Sequence, residues 1–549
     1  MRFRLAGLIV TLLLCACTRV AQQTGTVSGV SAPERHSWSV PGVLRVGIQS
    51  PPNNLQGVFT SNTTEVMIDR LIYDPLISVD ASGKNAVPIL AAEVPTLENG
   101  GISKDGLSIT YKLRHNVKWH DGAPFTSADV KFSWEAIMNP ANNVGGSRNG
   151  YNLVTRVDTP DDYTVVFHLK QRFSPAVNTF FAESDSPVFI IPKHLLEKYP
   201  NINNVAFNND PVGTGPFKFS KWVRGDHLEF VANDDYFMGK PKLKQIIVKI
   251  IPDENTELNE LRAHELDWIF EASPQLYGQL QNVPNIKNLL IQHNQVEELL
   301  MNLTNPLLSD VQIRRAIAQA IDKQELVSKL TYETATVADD EHPTFMWAHV
   351  GGKTYPYDPA KARATLDADG WKPGPDGVRQ KNGRRLSFVL STNTTNVTRR
   401  SAVVLIQAQL RAIGIETQVK SYLGTQLFAP KGVGGILANA KYDLNLSGWV
   451  AGIDPDDAVR FMCRSFAPDG ANYTHYCTPA MDAAETAALE HYDEASRKKA
   501  YATVQQLIYS DMPQDFLWWP RQIQAISVDF KNFAPNPVNE AWNSWEWEI

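Results

Sequence analysis

Residues Lys104–Pro140 read KDGLSITYKLRHNVKWHDGAPFTSADVKFSWEAIMNP, and this stretch decides how the rest of the chain is read. It opens on the turn pair Asp105-Gly106. Ile109, Tyr111 and Leu113 then alternate with Ser108, Thr110, Lys112 and Arg114, the period of a strand with one buried face. A second turn stands at Asp121-Gly122. Thr126, with Asp129 three residues on, forms a capping-box pattern, and Val130, Trp134 and Ile137 recur at helical spacing until Asn139-Pro140 stops the helix. The residues therefore predict strand, turn and capped helix.

The 549-residue chain is too long for a single core, since cores stop growing near ~250–300 residues, and two or three domains are expected. Hydrophobic residues at 43% and charged residues at 20% argue against a disordered chain and against a polytopic membrane protein. A formal charge of -7 without a Lys/Arg run offers no footprint for nucleic acid. The 13 Trp and 17 Tyr serve cores and small-molecule pockets alike, and composition does not separate the two uses.

Met1–Cys17 reads MRFRLAGLIVTLLLCAC. Two arginines precede an apolar run, Leu5–Leu14, too short to span a membrane as a mature helix, so the segment reads as a secretion signal. Leu14, Cys15, Ala16 and Cys17 look like a bacterial lipobox, which places cleavage before Cys17 and a lipid on its sulfur; a plain signal peptide is the competing reading. Either way an extracytoplasmic location is expected. A polar Thr, Ser, Gln and Gly stretch runs on to about Pro41 as a flexible tether. Cys463 and Cys477 remain. In an oxidising compartment two cysteines closing a short loop read as a disulfide, worth about 3 kcal/mol, against a metal or catalytic pair for which no second C-x-x-C or spaced His cluster is present.

The quoted stretch carries a resemblance more specific than its periodicity. The DG turn, a strand ending in LR, and VKWHDGAPFTSADVKFSW resemble the signature segment of the family 5 extracellular solute-binding proteins, the peptide/nickel-type receptors of ABC importers. PVGTGPFKFSKW (Pro211–Trp222) resembles that family's GTGPF segment, and similarity runs from about Leu44 to the last residue. A phosphate-cradling loop at Gly213 and Gly215 is set aside, because the P-loop Lys-Ser/Thr pair and a following helix are missing. The resemblance implies an α/β, two-lobed periplasmic-binding-protein-like fold of the large peptide-binding class, with a hinge and an extra domain in the first lobe. The boundaries it suggests are signal 1–16, tether 17–41, first-lobe core 42–76 with 208–292 and 525–549, extra domain 77–207, and second lobe 293–524.

Several residues are expected at the ligand cleft. In the family a loop after the first strand lines the cleft, which nominates Ser50, Asn53 and Asn54, with a solvated turn as the alternative. RRLSFVLSTNTTN, the helix from Thr398 to Ile413 and GIETQVKSYL spell a βαβ unit; loops at the carboxyl ends of such strands hold ligands, which nominates Thr392, Asn393 and Thr394. FMWAH (Phe345–His349) falls where the family presents apolar groups, adding Trp347. YDLNLSGWVAGIDPDD (Tyr442–Asp457) resembles the strand that delivers a Trp and an acid to the cleft, nominating Gly448, Trp449 and Asp454. The match is incomplete: peptide binders carry an Asp two or three residues past the Trp, and this chain has Ala451 and Gly452 there. Asp454-Pro455-Asp456-Asp457 also reads as a helix start with Asp454 as its cap.

No G-x-S-x-G, H-E-x-x-H, Walker or Rossmann pattern appears, and His120 reads as a packing or surface histidine. No enzyme, no cofactor and no metal site are expected. The resemblance implies a monomeric, lipid-anchored receptor that captures a short peptide by lobe closure and hands it to an ABC permease. The alternatives are an oligosaccharide or other polar oligomer as ligand, or an importer-free surface sensor or chaperone.

Overall fold

The strand Val43–Ile48 is flanked by two parallel neighbours, Gln245–Ile250 and Trp268–Ala272, which is why its sequence is an almost unbroken apolar run. The computed structural model describes residues 35–549 apart from 61, 145–147, 149 and 185–186; the signal segment, Cys17 and most of the tether lie outside the described residues. The helix Thr63–Ile72 follows, its cap Asn62 accepting from the Glu65 amide. It ends at Ile72, and Tyr73 is already extended. Antiparallel strands Phe217–Val223 and His227–Ala232 complete this half of the sheet.

In the other half Ser387–Asn393 lies between parallel Glu416–Tyr422 and Leu444–Val450, with the helix Val397–Ala412 as the crossover of the expected βαβ unit. Leu444–Val450 pairs in turn with antiparallel Gln295–Met301. Each half has its own core, one around Leu44, Val46 and Trp268, the other around Leu299, Ile317 and Leu390.

Two segments join the halves. Ile286–Gln292 runs through His293 and Asn294 into Gln295–Met301. The long strand Gln514–Ser527 pairs first with Gln295–Met301 and then with Trp268–Ala272 and Ile286–Gln292. Pro520 sits at the switch, paired with Ala335 of the short strand Ala335–Val337. Pairing with the first half resumes at Arg521, before the 525 boundary suggested by sequence. The result is one twelve-stranded mixed sheet pinched at two crossings.

The signature stretch folds as predicted. Ser108–Lys112 is a strand in a separate three-stranded sheet, and the helix Ser127–Met138 carries a reciprocal Thr126/Asp129 capping box. His120 joins the stretch to the GTGPF loop: the Gly213 N–H donates to its Nδ1 (3.2 Å), and its Nε2 lies 2.9 Å from the Gly215 carbonyl. That pattern requires the neutral Nε2–H tautomer, and burial pushes the imidazole pKa down to about 4. Both glycines are dictated by close approach, since a Cβ on Gly213 would stand 1.8 Å from the Ile72 carbonyl oxygen.

The halves also touch away from the crossings. The Ser174 N–H donates to the Leu489 carbonyl (2.7 Å), and the Tyr492 hydroxyl donates to the Gly106 carbonyl (2.8 Å). Leu489, Ala458 and Met462 pack into the first half's core.

Candidate ligand-binding site

The strands Gln295–Met301 and Leu444–Val450 organise the site, because alternate residues face opposite sides of a sheet. Glu297 is paired with Gly448, Glu298 with Ser447, and Val296 with Trp449. Adjacent glutamates therefore point to opposite faces, and each meets a different arginine.

On the first face the Arg399 guanidinium grips Glu297 bidentately, Nε to Oε2 at 2.6 Å and Nη2 to Oε1 at 2.8 Å. Arg399 comes from the first turn of Val397–Ala412, where the cap Asn396 accepts from the Arg399 amide. The guanidinium lies across Gly448, whose Cβ, if present, would stand 2.3 Å from Nη2 and 2.8 Å from Glu297 Oε1. A cavity of about 310 Å³ opens here, lined by Thr63, Glu271 and Ser273 from the first half, by Gln295, Glu297, Asn396 and Thr398 from the second, and by Trp518, Arg521 and Gln522 of the crossing strand. Glu271 accepts from the Thr63 hydroxyl (2.8 Å) and Gln522 Nε2 (2.6 Å), and burial raises its carboxyl pKa. Gln275 Nε2 donates to the Thr398 hydroxyl at 3.2 Å, a direct bond between the halves. His293, at the crossover, is buried in this wall and held neutral, its pKa pushed down to about 4 by desolvation.

On the opposite face Glu298 Oε2 accepts from Arg460 Nη2 (2.5 Å) and Gln514 Nε2 (2.8 Å). Arg460 also pairs with Glu341, and its guanidinium lies 4.7 Å from the Trp449 ring centroid, a cation–π contact. A second cavity of about 160 Å³ is bounded by Glu298, Leu300, Phe428, Ser447, Trp449, Tyr473 and Gln514, among others. The Cys463–Cys477 disulfide closes the loop that brings Tyr473 to it. Among the described residues no group of three or more His, Cys, Asp or Glu is arranged to hold a metal ion.

Of the residues nominated from sequence, Gly448 and Trp449 line the second cavity. The others stand elsewhere. The Thr392 hydroxyl is buried on the Leu446 carbonyl, Asn393 bonds Thr395, and the Thr394 amide bonds the Tyr422 carbonyl; the same loop meets the first cavity through Asn396 and Thr398. Trp347 packs against Arg497 and Tyr501. Ser50 and Asn53 are exposed, and Asn54 Oδ1 accepts from the Gln56 amide within its own turn.

Asp454 requires a correction on one point. The helix after it is Ala458–Phe461, with Asp457 at the cap position, so Asp454 caps nothing. Its carboxylate is instead held by both terminal nitrogens of Arg497, at 2.8 and 2.5 Å, with the pair almost wholly buried. An acid already neutralised in this way is not free for a ligand amine in this conformation.

Sequence reasoning missed Glu297, Glu298, Arg399 and Arg460. A signal was present: two adjacent glutamates interrupt the otherwise apolar run VEELLM, and a buried central strand holds charges only when they are paired. Their partners come from segments roughly 100 and 160 residues away, and pairing at that distance is not visible in a single sequence.

Residues 85–472 match the family described as bacterial extracellular solute-binding proteins, family 5. The oligopeptide-binding protein AppA of Bacillus subtilis is 28% identical over 518 residues, covering 92% of this chain and 91% of the relative. The glutathione-binding protein GsiB of Pectobacterium atrosepticum is 28% identical over 442 residues, 79% of this chain and 82% of that one. Among solved structures, NikZ of Campylobacter jejuni in complex with Ni(L-His) superposes with a TM-score of 0.78 at 28% identity, covering 93% of this chain and 100% of NikZ. B. subtilis AppA bound to a nonapeptide gives 0.77 at 27% identity, with 92% and 99% covered. The family model spans more than half of the chain, and the chain belongs to the family 5 bacterial extracellular solute-binding proteins.

Proposed function

We propose that the protein is the substrate-binding receptor of an ABC importer, capturing a short peptide between two lobes and delivering it to membrane permease subunits. The observation that carries this reading is the hinge cavity, whose walls come from both halves and from the crossing strand. A ligand there touches both halves only when they are closed, so its affinity for the closed form shifts the population toward it, and the closed form is what a permease reads. AppA, similar over most of both chains, is named for oligopeptides. The receptor works by binding without turnover, as a monomer held to the membrane by a lipid on Cys17. Its lobes follow the boundaries given above, with the second crossing moved to Pro520–Arg521. A second reading, a polar oligomer other than a peptide, is favoured by Ala451 and Gly452 where peptide binders carry an Asp, and by the engaged Asp454.

Native mass spectrometry of the protein without its signal, purified from rich medium, tests the reading. Co-purifying masses that differ by amino-acid residues support it. Hexose spacing, or conversion of any bound compound, overturns it.

A further inference from the structure

Two acids are buried together in the second half, behind its contact with the first. Asp457 stands at the cap position of the helix Ala458–Phe461, Glu485 lies in the helix Pro479–Glu490, and they are 2% and 1% exposed. Neither oxygen of Asp457 receives a hydrogen bond from a donor, nor does Glu485 Oε1. The two side chains meet each other instead. Buried carboxylates in contact do not both carry charge, so the pair holds a proton, with the O–H of one carboxyl group donating to the carboxylate of the other.

The surroundings do not replace that proton. Arg460 is bonded to Glu298 and Glu341, Arg497 is held by Asp454 with the Tyr501 hydroxyl beside it, and His342 is turned toward Asp340. The other groups facing the pair are acids: Asp456 on the same segment, Glu341 across from it, and Asp482, which accepts from the Cys463 amide. Desolvation, with these like charges behind it, holds the Asp457 carboxyl well above the usual carboxylate range and pushes Glu485 up to about 8.

The pair stands directly behind the residues that touch the first half. Ala458, next to Asp457, and Leu489, one turn after Glu485, pack into the first half's core together with Met462. The carbonyls of Leu489 and Ala488 accept from the Ser174 N–H and hydroxyl, at 2.7 and 3.0 Å. We infer that the proton shared by Asp457 and Glu485 is a pH-sensitive clasp, which keeps these two helices together as one docking face for the first half. When it is lost, two anions in contact push the helices apart and the contact between the halves loosens. The sign follows from the direction of the shift: the pair titrates higher in the folded chain than in the unfolded one, so its contribution is present at low pH and lost as pH rises through about 8. The inference goes beyond the receptor reading, since it requires no ligand.

Hydrogen–deuterium exchange of the mature protein from about pH 6 to about pH 9.5 tests it. The readout is the protection factor, which removes the rise of intrinsic exchange with pH, for the segment carrying Ser174 and for the strand Val43–Ile48 in the central sheet. In wild type the Ser174 segment is expected to lose protection roughly tenfold or more across about pH 8, the worth of one charge-assisted bond, while Val43–Ile48 does not. Glu485→Gln and Asp457→Asn each put an amide N–H donor in place of the shared proton, and in both the protection at Ser174 should no longer depend on pH. Should neither variant fold, the contrast between the two segments in wild type decides alone. A flat wild-type profile, an unchanged pH dependence in the variants, or equal losses in both segments overturns the clasp.

Discussion

Replacing Gly448 with alanine adds one methyl group at the most constrained point of the site. The new Cβ would stand 2.3 Å from Arg399 Nη2, 2.8 Å from Glu297 Oε1 and 3.0 Å from Gln295 Nε2. These are side-chain atoms, but the Arg399 and Glu297 side chains are only 12% and 5% exposed and grip each other bidentately. Swinging Arg399 clear would strand a buried carboxylate, at about 3–5 kcal/mol, so the lower-cost response is a local shift of helix and strand, at about 1–3 kcal/mol. For a lobe of this size such a loss lowers the melting temperature by roughly 2–4 °C per kcal/mol. The assay is differential scanning calorimetry of four proteins: wild type, Gly448→Ala, the pair-removed Glu297→Gln/Arg399→Met, and the triple variant. In the pair-removed background the methyl group meets no locked guanidinium, and its cost should fall below about 0.5 kcal/mol. Equal cost in both backgrounds would refute the account of why glycine stands at this position.

Four further outcomes follow from the same geometry. Asp454→Asn leaves the buried Arg497 without its carboxylate and should cost about 3–5 kcal/mol of stability, much of it regained in Asp454→Leu/Arg497→Met; lost affinity at unchanged stability would return Asp454 to the ligand. His120 is neutral when folded, its pKa pushed from 6.5 down to about 4, so between those values the unfolded chain binds the extra proton and stability falls as pH falls. The advantage of wild type over His120→Gln, measured by urea unfolding, should therefore be full above pH ~6.5 and shrink by up to about 3 kcal/mol toward pH ~4; a pH-independent difference would contradict the buried neutral tautomer. Tyr492→Phe removes the hydroxyl bond to Gly106 that ties the halves together, and should shift the closed form toward open by about 1 kcal/mol, seen as a larger radius of gyration in X-ray scattering and roughly fivefold weaker binding. Trp449→Ala removes the aromatic wall of the second cavity and should weaken peptide binding by roughly tenfold, while a large stability loss at unchanged affinity would make Trp449 a core residue.

What the chain declared by itself was local or carried by long motifs. Ser108–Lys112 is a strand because its residues alternate, and Ser127–Met138 is a helix because Thr126 and Asp129 cap it; both are legible without any distant contact. The WHDG and GTGPF segments identified the family, and the fold shows why they go together: His120 bonds the very loop that Gly213 and Gly215 form. Cys463 and Cys477 were legible as a pair because only those two cysteines follow the signal segment, and they are joined.

The site was legible only in part. Gly448 and Trp449 came from resemblance, and the loop after Ser387–Asn393 meets the first cavity through Asn396 and Thr398, not through Thr392–Thr394. Asp454 looked like a helix cap because its neighbours make a good start signal; Arg497, 43 positions on, captures it first. The same limit hid Arg399 and Arg460. A strand's alternation tells that Glu297 and Glu298 face opposite ways, but which cation waits on each face is a matter of how helices pack across the sheet. Local pattern and motif are properties of the chain, whereas the pairing of buried charges, which sets Glu298 on Arg460 and Asp454 on Arg497, exists only once distant segments are brought together.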